Sequence, residues 1–258
     1  MGLINFGHAA FFGMGAYTSA LLSLNVGISP WIALFLAGVA SMAFGAFNGV
    51  VSLRFRNRIY FVMCTLGFAE TARMICRNWV SLTRGVLGLW GYPTFPGIST
   101  RVDYYYLALV FMGASLFIMH MLAEHTRLGL IFRSIKDDEV LTEHLGINVA
   151  KYKVLCFMIS TFFAGLAGSM YAHHILLLTP EDVLASTVTV LAIGMVVIGG
   201  IRTIVGPVIG AFITVIMSEV LRMYVGIIYN LVAFGFLIMV FAIFIPGGIM
   251  GWIRRRIA

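Results

Sequence analysis

The stretch that decides the fold is P-W-I-A-L-F-L-A-G-V-A-S-M-A-F-G-A-F-N-G-V-V-S-L, residues 30–53, which carries no charged side chain from end to end. A membrane's hydrocarbon core is crossed by about 20 mostly apolar residues in helical form. The run is continuous rather than alternating, so it reads as a spanning helix and excludes a β-barrel strand. Working outward, comparable runs follow at Ala9–Val26, Ile59–Cys76, Tyr104–Ala123, Val154–Leu176, Val183–Ile201, Gly206–Met223 and Gly226–Ile245. Ala9–Val26 and Ile59–Cys76 are short and interrupted by glycine or charge, which leaves them open to being broken or re-entrant. The expectation is a single all-α transmembrane domain over residues 1–258, a polytopic helix bundle of about eight crossings in a lipid bilayer.

Composition agrees. The 258 residues are 61% hydrophobic and 10% charged, with a mean hydropathy of +1.01. A soluble domain is about half apolar and about a quarter charged. The net charge of +7, from 17 Lys+Arg against 10 Asp+Glu, is explained by loops rather than by nucleic acid, because cytoplasmic loops of membrane proteins collect basic residues. Setting Arg54, Arg56, Arg58, the 124–153 segment, Arg202 and Arg254–Arg256 on one side gathers 12 of the 17 basic residues there. That side is expected to be cytoplasmic, with the C-terminus and its interfacial Trp252 on it and the 78–103 loop opposite. The three cysteines, Cys64, Cys76 and Cys156, show no disulfide or zinc spacing. The adjacent His173 and His174 have no further ligand pattern, so no metal is assigned.

Small residues mark where helices meet closely in lipid. Gly38, Gly45 and Gly49 line one stripe, Gly206 and Gly210 form a second G-x-x-x-G, and Gly165–Gly168 is a shorter pair. These serve either tight bundling within the chain or a face toward another membrane subunit.

The segment E-H-T-R-L-G-L-I-F-R-S-I-K-D-D-E-V-L-T-E-H-L-G-I-N-V-A-K-Y-K, residues 124–153, holds half of the protein's acids. Leu128, Ile131, Phe132 and Ile135 recur at helical spacing and give one apolar face. Ser134 and Asp137 fit a capping box opening a second short helix, which Gly146 and Asn148 would close. This connection exceeds what two adjacent spans need, and it reads as a cytoplasmic helix for docking a partner.

Here the sequence resembles a family. The run from Phe132 to Lys153 looks like the coupling loop of ABC importer permeases for branched-chain amino acids, the LivM-like family, which also includes urea and short-amide permeases. Asp138-Glu139, Glu143, Leu145, Gly146, Ile147 and Asn148 match, while Val140, Leu141 and Thr142 stand where small residues are usual. G-L-I-N-F-G-H-A-A-F-F-G-M-G-A-Y (2–17), I-Y-F-V-M-C-T-L-G-F-A-E (59–70), F-F-A-G-L-A-G-S-M-Y-A-H (162–173) and G-M-V-V-I-G-G-I-R-T-I-V-G-P-V-I-G-A (194–211) resemble further family blocks in order. Two departures stand out. The family has a span before the first block, so the chain is expected to lack an N-terminal span. The outer loop carries Arg84 and Trp90 where glycine-rich sequence is commoner.

The resemblance implies a permease subunit working with a second permease, two cytoplasmic ATPases and an extracytoplasmic substrate-binding protein in a bacterial or archaeal cytoplasmic membrane. The chain contains no G-x-x-x-x-G-K-[ST], so ATP and Mg are expected on the partner and no enzyme activity here. Arg133, Asp137, Asp138, Glu139, Glu143 and Gly146 are the expected ATPase-coupling residues. Ionisable groups inside spans cost about 2.5–3.5 kcal/mol each and mark function. His8, Tyr17, Thr65, Glu70 and Arg73 are the expected pathway residues, with Glu70 and Arg73 spaced to pair on one helix face. Three readings follow: branched-chain or hydrophobic amino acid import, urea or short-amide import, and a self-contained secondary transporter, for which Glu70 is the candidate coupling acid. A membrane-embedded enzyme is disfavoured, since no HExxH, paired catalytic carboxylates or Ser/His/Asp set is present.

Overall fold

The protein is described here from a computed structural model that covers all residues except 1, 3, 55–57, 99, 202, 245–246 and 252–258; within the helices, the side chains of 58, 222, 225–234, 237, 240 and 242–243 are likewise not described. The expectations for Arg56, Arg202, Trp252 and Arg254–Arg256 lie outside the described residues. Backbone contacts divide the chain into two compact units, Met1–Thr189 and Val190–Ala258, each taken by itself.

The first unit opens with α1 (His8–Leu21), which runs on as a π-helical turn (Leu22–Val26) and ends at Gly27 with φ +70°. Ser29 and Pro30 then start α2 (Pro30–Ser52); proline suits a first helical turn because its missing N–H would have no partner there. After α3 (Arg58–Asn78) comes an irregular stretch holding α4 (Val80–Thr83) and β1 (Leu89–Trp90). Thr100 and Asp103 form a capping box at the start of α5 (Arg101–Glu124). Two short helices follow, α6 (Arg127–Asp137) and α7 (Glu139–His144). The long α8 (Val149–Ile175), capped by Asn148, leads into β2 (Leu177–Leu178), which pairs antiparallel with β1. Thr179 caps α9 (Pro180–Val183), and α10 (Ser186–Gly199) begins within this unit.

Six helices among the described residues are long and apolar enough to cross a membrane: His8–Val26, Pro30–Ser52, Ile59–Asn78, Arg101–Glu124, Val149–Ile175 and Pro180–Gly199. The polytopic all-α bundle is therefore present, but the count of eight is not reproduced. The seventh and eighth apolar runs form one continuous helix, α11 (Gly206–Phe244). The expected boundary fell between Met223 and Gly226, and a single glycine there costs only about 1 kcal/mol in a helix interior. That is too little to interrupt an apolar run whose backbone groups find no other partners in hydrocarbon.

Close packing of α1, α2 and α8 makes the centre of the first unit. The stripe Gly38, Gly45 and Gly49 faces α8, meeting Phe162 and Leu166, Thr161, and Phe157 in turn. Gly15 sits on the backbone of Gly165, and Gly168 on the carbonyl of Phe12. Ser41 spans the join, its hydroxyl donating to the Phe11 carbonyl at 3.0 Å. A ring cluster of Phe11, Phe61 and Phe157 fills the space beside it. In the second unit, Gly206 and Gly210 of α11 lie against Gly199 and the Met195 carbonyl, and the Thr203 hydroxyl accepts the Gly206 N–H at 3.0 Å. Both glycine stripes are thus occupied within the chain.

A Gly168→Ala substitution should lower stability by about 1–3 kcal/mol, the usual range for overpacking, because its new methyl meets a backbone carbonyl that no rotamer change can move. Gly67→Ala, which enters open space on α3, should be neutral or stabilising by up to about 1 kcal/mol. Thermal unfolding of the two variants in detergent distinguishes them.

Candidate functional site

Three groups of polar side chains stand out, at the two ends of the bundle and between them. The first is the 124–153 segment. Thr126 caps α6, its hydroxyl oxygen accepting the Gly129 N–H at 3.3 Å. Ile135 is buried, and Leu128, Ile131 and Phe132 are partly so, making the expected apolar face. The second helix starts differently from the expectation. Ser134 lies inside α6, bonded to the Ile131 carbonyl, and Asp138 caps α7, its Oδ1 accepting the Leu141 N–H at 3.0 Å. Asp138 prevails because its backbone is extended, with φ −150° and ψ 110°, the conformation an N-cap requires. Gly146, at φ +83°, ends α7: its N–H meets the Glu143 carbonyl at 3.0 Å and the Ile147 N–H meets that of Thr142 at 3.4 Å. This is a Schellman arrangement, and the positive φ is the reason for glycine there. Asn148, expected to close α7, instead caps α8, accepting the Lys151 N–H at 3.0 Å.

The residues expected to couple divide by partner. Arg133 pairs with Glu124 and donates to the Ala123 carbonyl, and Glu139 pairs with Lys153 of α8 at 2.5 Å. Those charges hold the segment to the bundle. Asp137 and Glu143 are exposed, and beside them Val140, Leu141 and Leu145 are exposed by 52%, 58% and 71%. Exposed leucines between acids are the feature that charge-based reading missed, although the departure from small residues at 140–142 signalled it.

At the β1–β2 end, Glu70 and Arg73 pair as their spacing predicts, at 2.7 Å. Arg73 also reaches Glu181 of α9 at 2.7 Å, Arg77 lies 3.6 Å from Glu181, and the Ser186 hydroxyl donates to Glu70 at 2.5 Å. The cluster borders a shallow depression lined by Thr71, Met74, Ile75 and Asn78. Nearby, His173 is fully buried; its Nε2 lies 2.8 Å from the Ser19 hydroxyl, which accepts from Ser169 at 2.7 Å, and its Nδ1 lies 2.7 Å from the Pro93 carbonyl. A carbonyl only accepts, so Nδ1 carries the proton and Nε2 accepts from Ser19. Tyr92 donates to the Ala172 carbonyl at 3.1 Å and Tyr104 to that of His173 at 2.9 Å. Burial pushes the Tyr92 phenol well above its ordinary value, so it stays a donor. Tyr17 belongs here as well, donating to the Leu178 carbonyl at 3.4 Å beneath β2. Arg84 and Trp90, two separate departures in sequence, form one contact, with the guanidinium 4.4 Å from the ring centre. Among the described residues no three His, Cys, Asp or Glu side chains gather as for a metal.

Between the two ends lies the start of α1. The Asn5 Oδ1 accepts the Gly7 N–H at 2.7 Å, and the Thr65 hydroxyl oxygen accepts the Phe6 N–H at 3.3 Å. Thr189 accepts the Ala9 N–H at 2.9 Å, and His8 Nε2 lies 3.2 Å from the Ser160 hydroxyl. Of the expected pathway residues, His8 and Thr65 therefore meet at this point, while Glu70 and Arg73 stand further along α3.

The profile of the branched-chain amino acid transport system permease component matches residues 1–243. The chain belongs to that family. It is 31% identical to the high-affinity branched-chain amino acid transport system permease protein LivM of Salmonella typhimurium, over 99% of this chain and 65% of that protein. It is 26% identical to LivH of Escherichia coli, over 97% and 86%, and 27% identical to the guanosine ABC transporter permease protein NupQ of Bacillus subtilis, over 68% and 60%. The chain thus spans just under two thirds of the length of the LivM proteins it matches. No solved structure matches it.

Because His173 joins α1, α8 and the 85–97 stretch, His173→Leu should loosen that stretch. Unpaired buried groups cost about 1–3 kcal/mol, so the amides of Leu89–Tyr92 should exchange with solvent roughly tenfold faster or more, measurable by hydrogen exchange with mass spectrometry.

Proposed function

We propose that this chain is a permease subunit of an ABC importer that carries branched-chain or other hydrophobic amino acids across the cytoplasmic membrane. The observation that carries the reading is the 124–153 segment: two individually capped helices, tied to the bundle through Glu124–Arg133 and Glu139–Lys153, present exposed leucines between acids. Capping and ion pairing hold the surface in one geometry, so that movement of a docked partner is passed to α8. A partner drives a conformational change only by contacting two states differently, and Val140, Leu141, Leu145, Asp137 and Glu143 supply that contact.

In this reading ATP and Mg bind a cytoplasmic ATPase partner, present twice alongside a second permease, and an extracytoplasmic binding protein delivers the substrate. The basic bias favours a cytoplasmic position for α6 and α7, with the β1–β2 end outside. Glu70, Arg73, Thr65 and His8 line the path from outside inward.

Amino acids are favoured over nucleosides by the more extensive likeness to LivM, 31% over 99% of the chain against 27% over 68% for the guanosine permease. Uptake of labelled leucine and guanosine by the assembled complex separates the two, and guanosine import without leucine import would overturn the substrate. For the subunit role, purification of the chain in mild detergent should bring down an ATPase and a second permease of similar size. A lone, transport-competent chain would overturn it.

Leu141→Asp combined with Leu145→Asp should abolish co-purification of the ATPase while leaving the unfolding temperature unchanged, since both side chains already face water. Glu143→Arg should cut substrate-stimulated ATP hydrolysis at least tenfold, assayed in proteoliposomes.

A further inference from the structure

The depth at which α1 begins is unusual. At 1.5 Å per residue, Thr65 lies about 10 Å inside the Arg58 end of α3 and Ser160 about 16 Å inside the Val149 end of α8. Ser41, which bonds the Phe11 carbonyl, lies about 16 Å inside the Ser52 end of α2 by the same rise. All three helices start or finish at the α6–α7 end, so α1 opens roughly halfway through the bundle. The Ile4–Gly7 backbone before it is not helical. Non-helical backbone at membrane depth is tolerated only where protein encloses it or where it lines a cavity.

The groups around this helix start are neutral: Asn5, Thr65, Ser160, Thr189 and His8. The N-cap residue of α1 is Gly7, which has no side chain to cap with, and Thr189 accepts the Ala9 N–H of the first turn instead. The Asn5 side chain is aimed at this helix start, holding the Gly7 N–H with Oδ1. Asn5 is only 9% exposed, and its Nδ2 is buried with no hydrogen-bond partner among the described residues. A buried amide donor left unpaired costs about 1–3 kcal/mol, so an acceptor bound beside this helix N-terminus would be stabilised by it. Helix N-termini carry about half a unit of positive charge and favour anionic groups.

We propose that the start of α1 is a subsite for the carboxylate of the transported amino acid, with Asn5 Nδ2 donating to it and the helix N-terminus supplying the positive potential. The inference rests on the amino-acid importer reading above. Neutral dipoles suit a subsite on a path, because the carboxylate is held by hydrogen bonds and partial charge rather than by a full counter-charge, and so leaves readily. Thr65 and Thr189 are positioning residues, keeping the Ile4–Gly7 backbone and the first turn of α1 in place.

Asn5→Asp tests it. The variant keeps the oxygen that accepts the Gly7 N–H and adds negative charge where a helix start favours it, so a purely structural Asn5 predicts an unchanged or higher unfolding temperature and normal transport. The proposal predicts the same unfolding temperature with leucine uptake by the complete complex in proteoliposomes reduced at least tenfold. If Asn5→Asp fails to fold, Asn5→Ser, whose shorter hydroxyl can accept the Gly7 N–H but cannot donate from the Nδ2 position, should reduce uptake in the same direction. Wild-type uptake in either folded variant overturns the subsite while leaving the importer reading intact. A wild-type complex that takes up no amino acid overturns the importer reading itself.

Discussion

Hydrocarbon offers backbone groups no water to bond, and it gives helices little hydrophobic reason to associate. In this protein the constraint is met by backbone-to-backbone approach of α8 to α1 and α2. Gly165 and Gly168 lie against Gly15 and the Phe12 carbonyl, Ser41 donates to the Phe11 carbonyl, and Gly45 takes the Thr161 side chain. Side chains larger than glycine at these points would push the helices apart and forfeit the dispersion contacts that hold them. The other features of the first unit hang from this junction. With α1 and α8 parallel and close, Ser19 and Ser169 reach His173, and through it the stretch at Pro93 that precedes α5.

The same junction brings the N-terminus of α1 into the interior. Because α1 is registered against α8 by Gly15–Gly165 and against α2 by Ser41, its start falls level with Thr65 and Ser160 rather than at a membrane surface. Its orphan N–H groups are then met by hydroxyls and a carboxamide from neighbouring elements. Polarity in the middle of the bundle follows from packing and needs no ionised residue. At the two ends the logic differs. Water and headgroups are near, so charges appear, in the Glu70–Arg73–Glu181–Arg77 cluster at one end and the Arg133 and Glu139 pairs at the other.

Much of this was legible in residue order. Uninterrupted apolar runs identify spanning helices because only a helix satisfies its backbone internally over that length. The three-residue spacing of Glu70 and Arg73 places them on one face. Gly146 closes α7 for reasons local to its φ angle. Other features were misread or hidden. Ser134 and Asp138 both fit as caps, and the choice depended on which residue the bundle left extended. The apolar pattern separates Gly206–Met223 from Gly226–Ile245, whereas one continuous helix covers both. His173, set aside as half of a weak metal pair, is a buried hydrogen-bond junction, since its partners stand 80 and 154 residues away.

The amino-acid sequence by itself determined that this is a multi-pass helical membrane protein of the branched-chain amino acid permease family with a charged, capped segment between its fourth and fifth apolar runs. Those properties are carried by composition, spacing and local backbone preference, which are written along the chain. Tertiary structure alone decided which charges are spent on internal pairs and which face outward, that Arg84 and Trp90 form a single contact, and that α1 starts at mid-depth beside an Asn5 donor with no partner among the described residues. These depend on helix registers, and registers are set by glycine contacts between residues as much as 150 positions apart, as from Gly15 to Gly165.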